Sequence, residues 1–254
     1  KVYLDIPNGD FRAMPARVKN TAGIKWCGVH LDDTGTKRKV NIFAKVLIND
    51  VDNGKLLAIM DGEVLTAIRT AAVTAVATKY MSRPDATVGA FVGCGNQTRS
   101  QIEAVLRVRD LSRIHLFDLN RPRAESMSKR FPDRDVCVCE SLEECLPEAD
   151  IVTTLTPSRK GFILYEWLKP VVHINAVGAD AEGKRELDAS VLNGLDLIVY
   201  DEWTQCYHSG EIQHSHEIDS NARRLQEWCP LSHIVGGEVN PSEYKQTLFD
   251  ATGL

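Results

Sequence analysis

Between Ala86 and Asp118 the chain changes character three times, in an order that few architectures accommodate. Val88 to Val92 is a short apolar run of strand type, and Gly93 and Gly95 then make a G-x-G turn around Cys94. Gln97 to Arg109 carries apolar residues at Ile102, Val105, Leu106 and Val108, the spacing of a packed helix. A second apolar run, Ile114 to Phe117, ends in Asp118. Strand, glycine turn, helix and strand in this order predict the first βαβ unit of a sheet that binds a dinucleotide at its carboxyl edge. Gly93 permits the turn, Gly95 lets the backbone approach a pyrophosphate, and the helix that Asn96 and Gln97 lead into offers unpaired N–H groups to the phosphates. Asp118 is placed to take the two ribose hydroxyls of the adenosine. A carboxylate there favours NAD, because it repels a 2′-phosphate; Arg121 and Arg123 just beyond leave NADP open. An ordinary glycine turn explains a bare G-x-G, and Thr98 stands at the third small position. The preceding strand, the following helix and the acid at the next strand end favour the nucleotide.

The rest of the chain divides around this unit. Residues 1 to about 50 read as β: Val40, Ile42, Ala44, Val46 and Ile48 alternate along one strand, and Ala22 to His30 is another. The polar, glycine-containing segment Leu31 to Lys39 reads as a loop. Asp50 to Gly54 is a turn into a strand over Lys55 to Met60. From Asp61, which can cap it, to Met81 the period lengthens to that of a helix, with a smooth ridge at Ala67, Ala71 and Ala75. Ser82 to Asp85 breaks that helix and divides residues 1–82 from residues 83–254. Beyond the break, short apolar runs at 88–92, 114–117, 136–138, 151–154, 171–175 and 197–200 alternate with helical or mixed segments. The expected class is α/β: a Rossmann-type, doubly wound, mostly parallel sheet behind an N-terminal α+β domain. The last residues, Phe249 to Leu254, read as the start of a further element, and with no Met at the start the chain is expected to be a fragment.

Composition narrows the function. Apolar residues make up 43% and charged residues 26%, the balance of an ordinary globular protein, and a net charge of -5 gives no attraction to nucleic acid or an anionic membrane. No apolar run is long enough to span a bilayer and no signal-peptide core opens the chain, so an intracellular, cytoplasmic protein is expected. Seven scattered cysteines read as free thiols. Cys137 and Cys139 face one way on a strand but lack a second pair or a histidine in sequence, Cys94 has no adjacent base, and His214 and His216 read as a solvated face, so no metal site is expected.

Ligands of such sheets lie beyond the carboxyl ends of the strands. Thr154, Thr156 and Ser158 follow one strand end and Val177 to Asp180 another, which makes Thr154, Thr156, Ser158 and Val177 candidate cofactor contacts, although a polar turn explains Thr156 and Ser158 equally well. Asp180, in a loop of small residues on the nicotinamide side, is placed to exchange a proton with substrate; capping a helix from Gly183 is the structural alternative. Arg69, among small and apolar residues of the helix, needs an anionic partner if buried, and a substrate carboxylate would be one.

Several linked motifs resemble one family. FRAMPA at Phe11 to Ala16, GIKW at Gly23 to Trp26, IRTAA at Ile68 to Ala72, GCGNQ at Gly93 to Gln97, HINAVGAD at His173 to Asp180 with GKRELD after it, and FDATGL at the end are similar to the ornithine cyclodeaminase and μ-crystallin family, and within it to archaeal-type alanine dehydrogenases. The resemblance implies an N-terminal substrate domain that dimerises through its strands, a Rossmann domain, and a homodimer. It implies that Arg12, Lys25 and Arg69 surround a substrate carboxylate, with Lys25 also near the reacting nitrogen, and that Asp180 is the general acid/base. It places Gly93, Gly95, Gln97 and Asp118 on NAD and Thr252 beside the nicotinamide. The implied activity is NAD-dependent oxidoreduction at the Cα–N bond of a small amino, keto or imino acid, as in alanine dehydrogenase or ketimine reductase. A cyclodeaminase that uses NAD catalytically and releases ammonia, and a ligand-binding protein, are the alternatives. The family's Asn-Pro loop after His30 is replaced by Leu31 to Lys39, which bears on substrate identity. The family's first helix and strands and its closing helix are expected to lie outside the chain.

Overall fold

A computed structural model of the chain describes residues 2–33 and 38–252. Its internal contacts divide it into two compact units, Lys1–Arg69 and Thr70–Leu254.

The first unit is a five-stranded antiparallel sheet in sequence order: β1 Val2–Ile6, β2 Gly9–Val18, β3 Thr21–Asp33, β4 Arg38–Asp50 and β5 Leu56–Asp61. Asn8 and Lys19, with φ of 63° and 51°, lie in the two-residue turns of the first two hairpins. The segment read from sequence as a loop is largely strand. Asp32 pairs with Lys39 and Asp33 with Arg38, since a backbone ladder does not require apolar side chains; residues 34–37 of that segment lie outside the described residues. Register then decides which side chains share a face. Arg12 lies opposite Cys27, Met14 opposite Lys25 and Cys27 opposite Ala44, so Arg12, Lys25 and Ala44 lie on one face. Phe11, Trp26 and Phe43 fall on the other, where the Phe11 and Trp26 rings stack with centroids 5.3 Å apart.

Helix α1 spans Gly62–Met81. Asp61 caps it by accepting the Glu63 N–H at 2.9 Å. Its first turn lies on the Arg12 face: a Cβ at Gly62 would fall 2.7 Å from the Ala44 Cβ. The division between units falls inside this helix rather than at the expected Ser82–Asp85 break. The reason is packing, for Gly62 and Thr66 meet the antiparallel sheet, whereas Thr74, Ala77 and Thr78 are buried in the second unit.

The second unit contains β6 Val88–Val92, β7 Arg113–Phe117, β8 Asp135–Val138, β9 Ile151–Thr154, β10 Arg159–Ile163, β11 Val172–Ala176, β12 Arg185–Leu187, β13 Leu197–Tyr200, β14 Glu227–Pro230 and β15 Gln246–Asp250. Eight of them form one sheet in the order β14-β13-β15-β11-β9-β6-β7-β8, every neighbouring pair parallel. Helices α2 Thr98–Leu106, α3 Arg121–Ser128 and α4 Leu142–Cys145 follow β6, β7 and β8. The chain runs outward from β6 through β7 to β8, then returns to lay β9 on the other side of β6. This reversal is the switch point of a Rossmann fold, and its crevice is where such sheets take a ligand. Ile114, Ile151, Ile174, Leu197 and Leu248 are fully buried, consistent with a sheet covered on both faces.

Two strands of this sheet, β14 and β15, escape the sequence reading. Phe249 and Asp250, in the stretch expected to open a further element, are instead the end of β15, a central strand between β11 and β13. Its polar residues find partners inside the protein: Gln246 Oε1 accepts from the Tyr165 hydroxyl at 2.7 Å, the Thr247 hydroxyl bonds His173 at 2.9 Å, and one oxygen of Asp250 accepts the Ile212 N–H at 2.9 Å. No described helix is long and apolar enough to cross a membrane.

Candidate active site

The glycine turn closes at the switch point. Gly93 has φ of 95°, donates its N–H to the Phe117 carbonyl at 2.8 Å, and lies so near the loop after β9 that a Cβ would fall 2.9 Å from Thr156 Cγ2. A side chain there is excluded both by conformation and by space. Gly95 differs, because a Cβ on it would meet nothing within 4 Å. Its front is open, and that opening is where a pyrophosphate would approach. Thr98, the departure from the small-residue pattern, is buried and donates its hydroxyl to the Gly93 carbonyl at 2.7 Å, so it fastens the turn. Gln97, the residue before α2, gives the helix no side-chain cap, which leaves first-turn amides for another acceptor, and its buried Oε1 has no partner among the described residues. Asn96 is exposed beside it.

Asp118 stands at the end of β7. One carboxylate oxygen accepts the Cys94 N–H at 2.7 Å and the other accepts the Asn120 N–H at 2.7 Å. Burial and then the Asp118 charge push the Cys94 thiol up to about 12, so it stays protonated and is no nucleophile. An open glycine, an uncapped helix start and a carboxylate at the next strand end fit a dinucleotide.

Across the switch point, the loops after β9 and β11 meet. Val177 donates its N–H to the Thr154 carbonyl at 3.1 Å. Asp180, half-buried, donates its N–H to the Gly178 carbonyl at 3.1 Å, and its carboxylate is paired with the Lys184 ammonium. It caps no helix, because the chain beyond Gly183 enters β12. Thr252, after β15, is buried and donates both its N–H and its hydroxyl to Asp201 at 3.0 Å. The structure thus gathers Thr154, Thr156 and Val177 near Gly93, while the Thr252 hydroxyl is already engaged.

Three buried carboxyls were not anticipated. Glu186 accepts from the Thr154 hydroxyl, the Thr156 N–H and the Gly178 N–H; Glu211 accepts the N–H groups of Glu186 and Leu187; and Asp250 lies against Gly210. Burial raises all three above the ordinary carboxyl range, Asp250 to about 8. Their sequence signal is slight, since Glu186 sits among the polar residues of GKRELD.

In the first unit, the cations gather on one face of the antiparallel sheet. Arg12 is buried and bonds Asp10 through Nε at 2.6 Å and Nη2 at 3.3 Å, with its guanidinium 5.5 Å from the Tyr3 ring centre. Lys25 Nζ donates to the Thr66 hydroxyl at 3.5 Å. Arg69, half-buried, follows Thr66 by three residues and so lies on the same side of α1. Asp10 is the unforeseen member.

Elsewhere, the Cys137 and Cys139 sulfurs lie within 4.8 Å of each other and of a Glu144 oxygen. Cys139 and Cys145 belong to the apolar core, where thiols pack as small hydrophobes. His214 and His216, with ring centres 6.5 Å apart, lie on the 3-10 helix Glu211–Glu217, and His214 bonds the Lys184 carbonyl.

With this geometry in hand, comparison with known proteins is specific. Residues 1–254 match the sequence model of the ornithine cyclodeaminase/mu-crystallin family. The chain is 34% identical to an alanine dehydrogenase of Archaeoglobus fulgidus over 257 residues, covering 100% of this chain and 79% of that protein. It is 34% identical to a ketimine reductase mu-crystallin of Macropus fuliginosus over 209 residues, covering 82% of this chain and 64% of that protein. Among solved structures, an archaeal alanine dehydrogenase dimer with bound NAD matches at a TM-score of 0.88 and 33% identity, over 100% of this chain and 79% of that one.

Proposed function

The chain belongs to the ornithine cyclodeaminase/mu-crystallin family, and we propose that it is an NAD-dependent oxidoreductase acting at the Cα–N bond of a small α-amino acid, of the alanine dehydrogenase or ketimine reductase kind. The observation that carries this reading is Asp180, a half-buried carboxylate on the loop after β11, paired with Lys184 at the edge where a dinucleotide crosses the sheet. A protein that only bound its ligand would not need an acid/base there.

Each residue has an assigned task. Gly95 and the first turn of α2, with Asn96 and Gln97, receive the pyrophosphate, and Asp118 the adenosine ribose. Thr154, Thr156, Val177 and Thr252 border the nicotinamide. NAD, when bound, supplies the hydride acceptor or donor for the substrate Cα. Arg12, Lys25 and Arg69 hold the substrate carboxylate. Lys25 also orients the nitrogen, while Asp180 takes the proton from the amine or from attacking water as the bond order of Cα–N changes.

The proposed partner is a second copy of the chain. Leu4, Trp26, Phe43, Leu57 and Ile59 are exposed on one face of the antiparallel sheet, opposite the cations, and such an apolar patch fits a strand-mediated dimer.

Asp180→Asn tests the central assignment. Turnover is expected to fall about 10²–10⁴-fold with NADH affinity nearly unchanged; comparable turnover in the variant removes Asp180 from the mechanism.

A further inference from the structure

The cofactor-side loops of a sheet end are held by whatever satisfies their backbone, and here one side chain does so for two loops at once. Glu186 is fully buried in β12. Its Oε2 accepts the Thr154 hydroxyl at 2.6 Å and the Gly178 N–H at 3.0 Å, and its Oε1 accepts the Thr156 N–H at 2.6 Å. Thr154 ends β9 and Thr156 lies in the loop after it, whereas Gly178 lies in the loop after β11. We propose that Glu186 is a positioning residue, whose carboxylate clamps these two loops together and thereby sets the place of Asp180.

The path from Glu186 to Asp180 is short. Gly178, held by its N–H, offers its carbonyl to the Asp180 N–H at 3.1 Å and to Lys184 Nζ at 3.4 Å, and Lys184 pairs in turn with the Asp180 carboxylate. The contact is built for glycine. A Cβ at Gly178 would fall 2.3 Å from the Thr156 carbonyl oxygen and 2.5 Å from Glu186 Oε2, so only a bare backbone lets the second loop reach the carboxylate.

Three donors converge on two oxygens, which is the pattern of an acceptor-only carboxylate. An amide in its place keeps one oxygen and turns an NH2 group toward a donor, so at least one loop contact is lost. Glu211 supplies the control. It too is fully buried, but its carboxylate takes the N–H groups of Glu186 and Leu187, within β12, and accepts no hydrogen bond from either loop among the described residues.

This inference rests on the proposed oxidoreductase function, and the experiment separates the two. Glu186→Gln and Glu211→Gln are compared by amide hydrogen exchange and by steady-state kinetics. In Glu186→Gln, exchange over Gly178 to Asp180 is expected to quicken about tenfold or more. Its kcat is expected to drop about tenfold, with KM for the amino or imino acid within about threefold. In Glu211→Gln, kcat stays within about twofold of wild type, whatever the loss of thermal stability. If Glu186→Gln does not fold, Glu186→Asp keeps the charge but is one methylene too short to reach all three donors, and the same changes are expected in smaller measure. Unchanged exchange at Gly178 to Asp180, unchanged kcat, or equal loss of kcat in the two amide variants overturns the clamp. A wild-type protein without turnover on any amino, keto or imino acid overturns the function itself, and the positioning role falls with it, while the exchange comparison still reports on the clamp.

Discussion

The carboxylate of Asp118 accepts the backbone N–H of Cys94 at 2.7 Å, so the acid that ends β7 also braces the glycine turn that ends β6. The same side chain that is assigned the adenosine ribose therefore also holds the glycine turn in shape. Asp118→Ala is expected to weaken NADH binding about tenfold, the scale of one lost hydrogen bond to a charged group. NADPH should be affected less, because the substitution also removes the repulsion of a 2′-phosphate. Fluorescence titration of both nucleotides checks this, and equal losses would show that Asp118 acts through the turn alone.

Gly95 separates cofactor binding from folding. A Cβ there meets no atom within 4 Å, and its φ is not in the left-handed region, so Gly95→Ala should melt within about 1 °C of wild type. Its NADH affinity should nonetheless fall about tenfold or more, since the methyl group occupies the approach of the pyrophosphate. Full affinity in this variant would mean that the phosphates lie elsewhere.

The sequence was most legible where geometry leaves one choice. The strand and glycine turn at 88–95 and the helix after them are legible because a left-handed Gly93 between a buried strand and a helix has few structural homes, although the helix closes at Leu106 rather than Arg109. Leu31 to Asp33, Arg38 and Lys39 were misread because a long hairpin pairs through its backbone whatever its side chains. The β15 strand was missed for the converse reason. Gln246, Thr247 and Asp250 look like surface residues, yet each is buried with a partner that only the fold supplies. Glu186 shows the same limit at the site, because its three donors come from sequence positions up to 32 residues away.

Buried titrating groups predict a particular pH profile. Burial, with the charges of Asp201 and Glu186 adding, holds the Asp250 carboxyl up at about 8, and burial holds His173 down at about 3. A carboxyl raised above its unfolded value of about 3.9 stabilises the fold fully below that value and loses the contribution as pH rises toward 8. A histidine lowered from its unfolded value of about 6.5 stabilises above that value and loses the contribution as pH falls toward 3. Between about pH 4 and 6.5 the two slopes oppose each other; above about 6.5 the Asp250 slope stands without its counterweight, and Glu211, raised by burial and by the Glu186 charge, has the same sign. Urea unfolding should lose up to about 1.4 kcal/mol per pH unit to Asp250 between about pH 6.5 and 8. Asp250→Asn should flatten that limb, and a slope the variant leaves intact would assign the titration to other groups.

The most direct test of the proposed chemistry is the absorbance of NADH in the presence of the purified protein with pyruvate and ammonia, and separately with cyclic imines, while ammonia release from ornithine is followed in parallel. Loss of NADH in step with the amino acid formed is the predicted result. Ammonia released from ornithine with no net change in NADH, or no change in either assay while NADH binds tightly, would contradict it.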